Sequence, residues 1–179
     1  MPRKGFRWEH VALSAVLTLA VLSFAYYSYE TIGVRTLLQK ALLTDPDVSS
    51  VKVAKDGDAQ VVEIALAKVA DLSTTHGRLY AVVKDRLGQA AFRLRITDQR
   101  DQTLQEVYHS IHYYLEEASA RGNFGTMIEA CSAALARAGI SDYKVTVDQE
   151  HIYVQMALGE HYLYQVLDRP PESQGGVTQ

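Results

Sequence analysis

The sequence of 179 residues contains very little cysteine and none of the motifs that mark the common enzyme classes. Cys131 is the single cysteine, which excludes an intramolecular disulfide framework, so the fold must be stabilised by its core. No GxSxG, P-loop, HExxH, CxxC or glycine-rich dinucleotide motif is present. We therefore expect no catalytic residues and no bound cofactor.

The chain also lacks an excess of charge of either sign. Its net charge is −3, whereas a nucleic-acid-binding protein usually carries a basic face or stripe. Hydrophobic residues make up 47% of the sequence, which is enough apolar surface to bury and argues against general disorder.

One apolar segment stands out from this ordinary composition. Residues Val11 to Tyr29 contain no formal charge. A helix of this length spans roughly 28 Å, close to the hydrocarbon thickness of a bilayer. Trp8 precedes the segment, and tyrosines gather at its other end, as is typical of the two membrane interfaces. The segment is predicted to be a transmembrane helix.

The charges that flank this segment predict its direction. Arg3, Lys4 and Arg7 precede it and Glu30 follows it, which places the N-terminus in the cytoplasm and the remaining chain outside the membrane. The alternative is a cleaved signal peptide, because residues 23–25 resemble a cleavage site. The apolar run is longer than most signal cores and continues past that site, which favours the anchor.

Hydrophobic periodicity predicts an α+β fold: a transmembrane helix followed by one or two small α/β sandwich regions. The first has the order α-β-β-α-β, with a hairpin turn at Asp56-Gly57 and Asp71 as a helix N-cap. The second has the order α-α-β-β-β, and Ile128 is predicted to be buried on its second helix. The predicted organisation is 1–10 cytoplasmic, 11–29 transmembrane, 30–98 first unit, 99–168 second unit and 169–179 disordered tail.

An N-terminal anchor followed by α-β-β-α-β resembles the ring-building-motif domains of membrane-anchored proteins from bacterial secretion systems and the sporulation channel. The resemblance covers about residues 31–97 and rests on element order, including the hairpin around Asp56-Gly57. It implies an extracytoplasmic oligomerisation module without enzymatic activity. In the second half two helices precede three strands, which departs from that pattern.

Three polar side chains on the predicted helix 102–120 could bind a metal ion. His109, His112 and Glu116 lie within about 60° of one another on a helical wheel. Two imidazoles and a carboxylate suit several transition metals. His109 and Glu116 lie about 10 Å apart along the axis, which instead favours a solvated face with a His112–Glu116 neighbour pair.

Tyr113 and Tyr153 are the candidate residues for protein interaction. Each is predicted to point away from the buried face of its own element, and tyrosine is enriched at protein–protein contacts. Two histidines receive simpler interpretations: His76 lies on an apolar helical stripe and is predicted to be a core residue, whereas His151 is predicted to be exposed at a turn.

Together these features predict a single-pass, non-enzymatic protein of a bacterial-type envelope, held in the lipid bilayer by Val11 to Tyr29. Its extracytoplasmic domain is expected to bind envelope proteins or to self-associate. The alternative is an extracytoplasmic ligand or metal sensor with His109, His112 and Glu116 at its site. An envelope hydrolase is a third hypothesis, which would require a convergent nucleophile and base.

Overall fold

The computed structural model describes residues 8–28 and 34–170, and within these ranges the chain is α+β. The helices are Trp8–Ser28 (α1), Val34–Leu43 (α2), Leu72–Leu87 (α3), Gln102–Arg121 (α4) and Phe124–Arg137 (α5). The strands are Val48–Asp56 (β1), Ala59–Leu66 (β2), Phe92–Thr97 (β3), Asp142–Val147 (β4), His151–Leu158 (β5) and His161–Asp168 (β6). The predicted order, α-β-β-α-β followed by α-α-β-β-β, is confirmed.

Helix α1 contains most of the apolar segment on which the transmembrane prediction rests. Its large aliphatic side chains are 59–69% exposed, namely Leu13, Val16, Leu17, Leu19, Val21 and Leu22. In the part of the chain that the structure describes, however, no helix has the combination of length and hydropathy that a membrane crossing requires. The structure therefore does not support the transmembrane part of the predicted fold class. The charges that predict the direction of the segment, at positions 3, 4, 7 and 30, lie outside the described residues.

The first sheet is built from one hairpin and one crossover, in the order β1-β2-β3. β1 and β2 are antiparallel and turn between Asp56 and Ala59, where Gly57 has the positive φ of 61° that a tight turn favours. β3 lies parallel to β2, and α3 provides the long connection that parallel neighbours need. The side chain of Asp71 accepts a hydrogen bond from the Thr74 N–H, so the predicted N-cap of α3 is confirmed.

The second sheet is an antiparallel meander, β4-β5-β6, and it is buried on both faces. One face packs against α4 and α5, and their contact forms a core that includes Leu104, Ile111, Met127, Leu135, Ile152, Val154 and Leu163. On α5, Ile128 is 42% exposed rather than buried as predicted.

The other face of the second sheet packs against the first half of the chain. Tyr153 and Tyr164 belong to the same buried cluster as Val62, Ile64 and Leu79. Tyr153, predicted to point outward for a partner, is only 3% exposed, because the first half covers that face of β5. It is therefore a residue of the contact between the halves and not of the outer surface.

Backbone groups at the end of β2 and in its connection to α3 form hydrogen bonds with tyrosines of β6. The Val69 N–H donates to Tyr164 Oη at 2.7 Å, and that hydroxyl donates to the Ala67 carbonyl at 3.3 Å. Tyr162 Oη donates to the Leu66 carbonyl at 2.9 Å. These bonds fix the second sheet against the first half.

The two halves keep separate sheets, and only one backbone bridge joins them in the described chain. The Tyr162 N–H donates to the Gln99 carbonyl at 3.3 Å. Beyond β6, the Arg169 N–H donates to the Glu150 carbonyl at 2.7 Å, at the first residue of the tail that is predicted to be disordered. Residues 171–179 of that tail lie outside the described residues.

Candidate functional site

The most chemically distinctive region lies where the free edges of β3 and β6 face each other. We call this region the seam. β3 is an edge strand of the first sheet and β6 is an edge strand of the second. The bridge between Gln99 and Tyr162 closes one end of the seam. Toward the other end, side chains from α3, β3, β5 and β6 surround a cavity.

A cluster of two histidines, one tyrosine and one aspartate lies beside this cavity. Tyr153 Oη lies 2.9 Å from Asp148 Oδ2, 3.3 Å from His151 Nδ1 and 3.4 Å from His76 Nδ1. The rings of His76 and His151 are 5.1 Å apart. His151 Nε2 also lies 3.5 Å from a carboxylate oxygen of Asp168.

The single hydroxyl proton of Tyr153 determines the direction of these bonds. Its shortest contact is the one to Asp148, an ionised carboxylate that can only accept, so the tyrosine donates there. Its oxygen can then accept from Nδ1 of His76 or of His151, according to which tautomer each ring adopts.

The pKa values of the cluster follow from burial and from these bonds. His76 is only 4% exposed, and its burial, together with the nearby His151, lowers its pKa to about 4. Burial opposes the charge of Asp148, but hydrogen bonds from Glu150, His151 and Tyr153 outweigh that effect and lower its pKa. Burial and the bond to Asp148 raise the pKa of Tyr153. At neutral pH, His76 is therefore neutral and Tyr153 is protonated.

The cavity at this end of the seam has a volume of about 400 Å³. That volume is within the range of roughly 300–1,000 Å³ seen for ligand-binding pockets. Its walls are aromatic, cationic and aliphatic, formed by His76, Tyr80, Phe92, Arg93, Leu94, Arg95, His151, Val166 and Asp168. A second cavity of about 390 Å³ is also lined by Leu94, Arg95 and Val166. The two strand edges are thus separated by open space instead of being paired.

Alternation along each strand shows which backbone groups face this space. The Ala91 carbonyl accepts from Gln60 on β2, so the N–H and C=O groups of Leu94 and Ile96 point away from β2. On β6, the backbone of Tyr162 faces outward to Gln99, and the Tyr164 N–H faces outward to Asp98. The backbone N–H and C=O groups of Val166, two residues further along β6, point in the same direction.

The three metal-site candidates remain separate neighbours on the surface of α4. His109 Nδ1 lies 3.0 Å from the carbonyl of Gln105 on its own helix, and His112 Nδ1 lies 3.9 Å from Glu116 Oε1. Across residues 8–28 and 34–170, no three His, Cys, Asp or Glu side chains are arranged to hold a metal ion. The structure brings His112 and Glu116 together but adds no further ligand.

The remaining candidate residues have contrasting surroundings. Tyr113 is 78% exposed on α4. Cys131 is fully buried, and its burial raises the pKa of the thiol to about 11, so the reactive thiolate is disfavoured.

Sequence reasoning treated His76, His151 and Tyr153 one at a time and missed the cluster. His76 was predicted to be a core residue, and its burial confirms this. His151 was predicted to be exposed but is only partly exposed. A sequence signal existed in the alternation of β5, because Tyr153 lies opposite Ile152 and Val154, but that signal does not identify what covers the second face.

The chemistry of the cluster favours binding. Tyr153 is held protonated, and His76 is a neutral imidazole beside two arginines and two aromatic rings. Such groups can recognise a hydrogen-bond donor and a negative charge. The chain matches no protein-family model, and a search of curated proteins finds no significant relative.

Proposed function

We propose that this chain is a single-pass, membrane-tethered protein without enzymatic activity, whose α+β region lies outside the cytoplasm and binds other envelope proteins or further copies of itself. The observation that carries the proposal is the exposure of α1. Its large aliphatic side chains from Leu13 to Leu22 are 59–69% exposed, whereas the leucines facing the two cores are buried. An apolar surface of this kind is typical of a segment that contacts lipid or another protein. The charge-free sequence Val11 to Tyr29 and its basic N-terminal flank favour lipid and an N-terminus inside the cell.

Membrane attachment is tested by extracting membranes with alkaline carbonate and measuring how much of the chain stays in the pellet. We expect the wild type to remain there. The double variant Leu17→Arg/Leu19→Arg should be released, because each arginine near the centre of a membrane helix costs roughly 2.5–3.5 kcal/mol. The matched variant Leu17→Ala/Leu19→Ala changes the same positions without adding charge and should stay in the pellet. Release of the wild type would contradict the tether.

Partner binding is tested by replacing Tyr113 with a photo-crosslinking phenylalanine analogue in intact membranes. Among the described residues, Tyr113 is the most exposed large hydrophobic side chain, and exposed tyrosines are frequent in protein contacts. We expect a discrete adduct from this position and none from the same analogue at Lys84, an exposed residue of α3. A chain that stays monomeric and free of adducts at both positions would contradict the assembly role.

A further inference from the structure

The seam leaves backbone hydrogen-bonding groups of two strand edges facing one open space. The groups are those of Leu94 and Ile96 on β3 and of Val166 on β6, and in the described chain no strand pairing joins β3 to β6 beyond the Gln99–Tyr162 bridge. An unpaired strand edge is a template for another extended chain. Here two such edges flank cavities of about 400 and 390 Å³.

We propose that the seam binds an extended peptide segment of a partner protein, which adds as a β-strand to these edges. The proposal rests on the proposed function, for which it identifies a binding surface and a class of partner. An extended backbone offers donors and acceptors at every second residue, and this spacing matches Leu94 and Ile96 on β3. A compact small molecule would satisfy one of these positions and leave the others unpaired.

The side chains along the seam select for a particular kind of peptide. Leu94, Ile96 and Val166 offer apolar contacts to one face of a bound strand. Arg93 and Arg95 offer positive charge, because their carboxylate neighbours, Asp56 and Glu63, lie at the loose distances of 3.5 and 4.0 Å. The segment that fits therefore alternates aliphatic with acidic residues.

Two further groups, His76 and Asp168, lie at the end of the seam near α3. His76 lines the cavity there and offers a ring nitrogen that can form a hydrogen bond with a polar side chain of the peptide. Asp168, whose side chain is almost fully exposed, disfavours an acidic residue at this end. The acidic residues of the peptide are thus expected along Arg93 and Arg95, away from Asp168.

A second copy of the chain fits the seam less well. The free edge that a copy could donate from its first sheet is β1. With its valines on the apolar face of the seam, that strand places Lys52 on the face of Arg93 and Arg95, where like charges in opposed strands are destabilising. The charge pattern accordingly favours an acidic segment from a different protein.

The test measures binding of two fluorescent octapeptides to the full chain in detergent, one alternating valine with glutamate and the other alternating valine with lysine. We expect the glutamate peptide to bind and the lysine peptide to bind at least about tenfold more weakly. Val166→Pro removes an outward N–H without breaking the β5–β6 ladder, which bonds through the odd-numbered residues of β6. It should weaken binding by about five- to tenfold, because the loss of the N–H removes one hydrogen bond to the peptide.

A second variant and a second measurement apply if Val166→Pro does not fold. Arg95→Glu should reverse the preference, so that the lysine peptide binds better than the glutamate peptide. Amide hydrogen exchange should slow at Leu94, Ile96 and Val166 when the glutamate peptide is bound, and not at Tyr113. No binding of the glutamate peptide, equal binding of both peptides, or exchange that slows only elsewhere would overturn the proposal. In those cases carbonate extraction and crosslinking from Tyr113 would still report independently on the proposed function.

Discussion

Replacing Tyr164 with phenylalanine should weaken the contact between the two halves while leaving each core packed. The hydroxyl of Tyr164 accepts the Val69 N–H at 2.7 Å and donates to the Ala67 carbonyl at 3.3 Å. Tyr164 is 3% exposed and Val69 is 6% exposed, so water does not readily replace the lost bonds. The phenylalanine variant therefore leaves the buried Val69 N–H without a hydrogen-bond acceptor.

The expected loss can be estimated from these bonds. A buried donor left without a partner costs about 1–3 kcal/mol, and the longer bond to Ala67 adds little. We expect the free energy of unfolding to fall by about 2 kcal/mol, which corresponds to a decrease in Tm of roughly 4–8 °C for a chain of this size. The ring itself still fills its place, so no cavity contributes.

The assay is equilibrium unfolding of the full chain in detergent, followed by far-ultraviolet circular dichroism. Tyr143→Phe is the matched control, because it makes the same change on β4 of the same sheet, where the hydroxyl has no hydrogen bond with the described residues. That control should lie within about 0.5 kcal/mol of the wild type. Equal stability of Tyr164→Phe and Tyr143→Phe would refute the reasoning.

Three further predictions concern pH, a helix cap and a thiol. Folding lowers the pKa of His76 from an ordinary 6.5 to about 4, so between pH 6.5 and pH 4 the unfolded chain binds a proton that the folded chain does not. The free energy of unfolding should therefore fall by up to about 3 kcal/mol as the pH drops from 6.5 to 4. Urea unfolding at both pH values should show that the free energy of unfolding falls less in His76→Gln than in the wild type. In the exposed variant His109→Gln it should fall as much as in the wild type. Asp71→Ala removes the N-cap of α3 and should lower the free energy of unfolding, measured by thermal unfolding, by about 1 kcal/mol or more. Asp71→Asn can still cap the helix, so its smaller loss should report the contribution of the ion pair with Lys144. Cys131, whose buried thiol has a pKa raised to about 11, should react with an aromatic disulfide reagent only after unfolding; rapid reaction in the native state would contradict its burial.

Local chemistry made much of the fold predictable from the sequence. Gly57 marks the first hairpin and Asp71 starts α3, because a positive φ and an N-cap each require a particular residue type within a few positions. The order of helices and strands follows from periodicity in the same way. These features depend on neighbours in sequence.

The seam was not predictable because it depends on which surfaces meet. The alternation of β5 separates Tyr153 from Ile152 and Val154, but a period of two does not reveal that the first half covers the tyrosine face. His76 and His151 are separated by 75 positions, and only the packing of α3 against β5 brings their rings within 5.1 Å. Ile128 shows the opposite limit, since a helical stripe predicted its burial but its side chain is 42% exposed.

The tyrosines of β6 also affect how the chain can fold while it is being synthesised. The backbone groups of Leu66, Ala67 and Val69 bond to hydroxyls that come 95 to 97 residues later in sequence. The first half is thus made long before the last strand that completes its core emerges from the ribosome. Until then, its hydrophobic surface and the edge of β3 are open, and such intermediates are prone to aggregate.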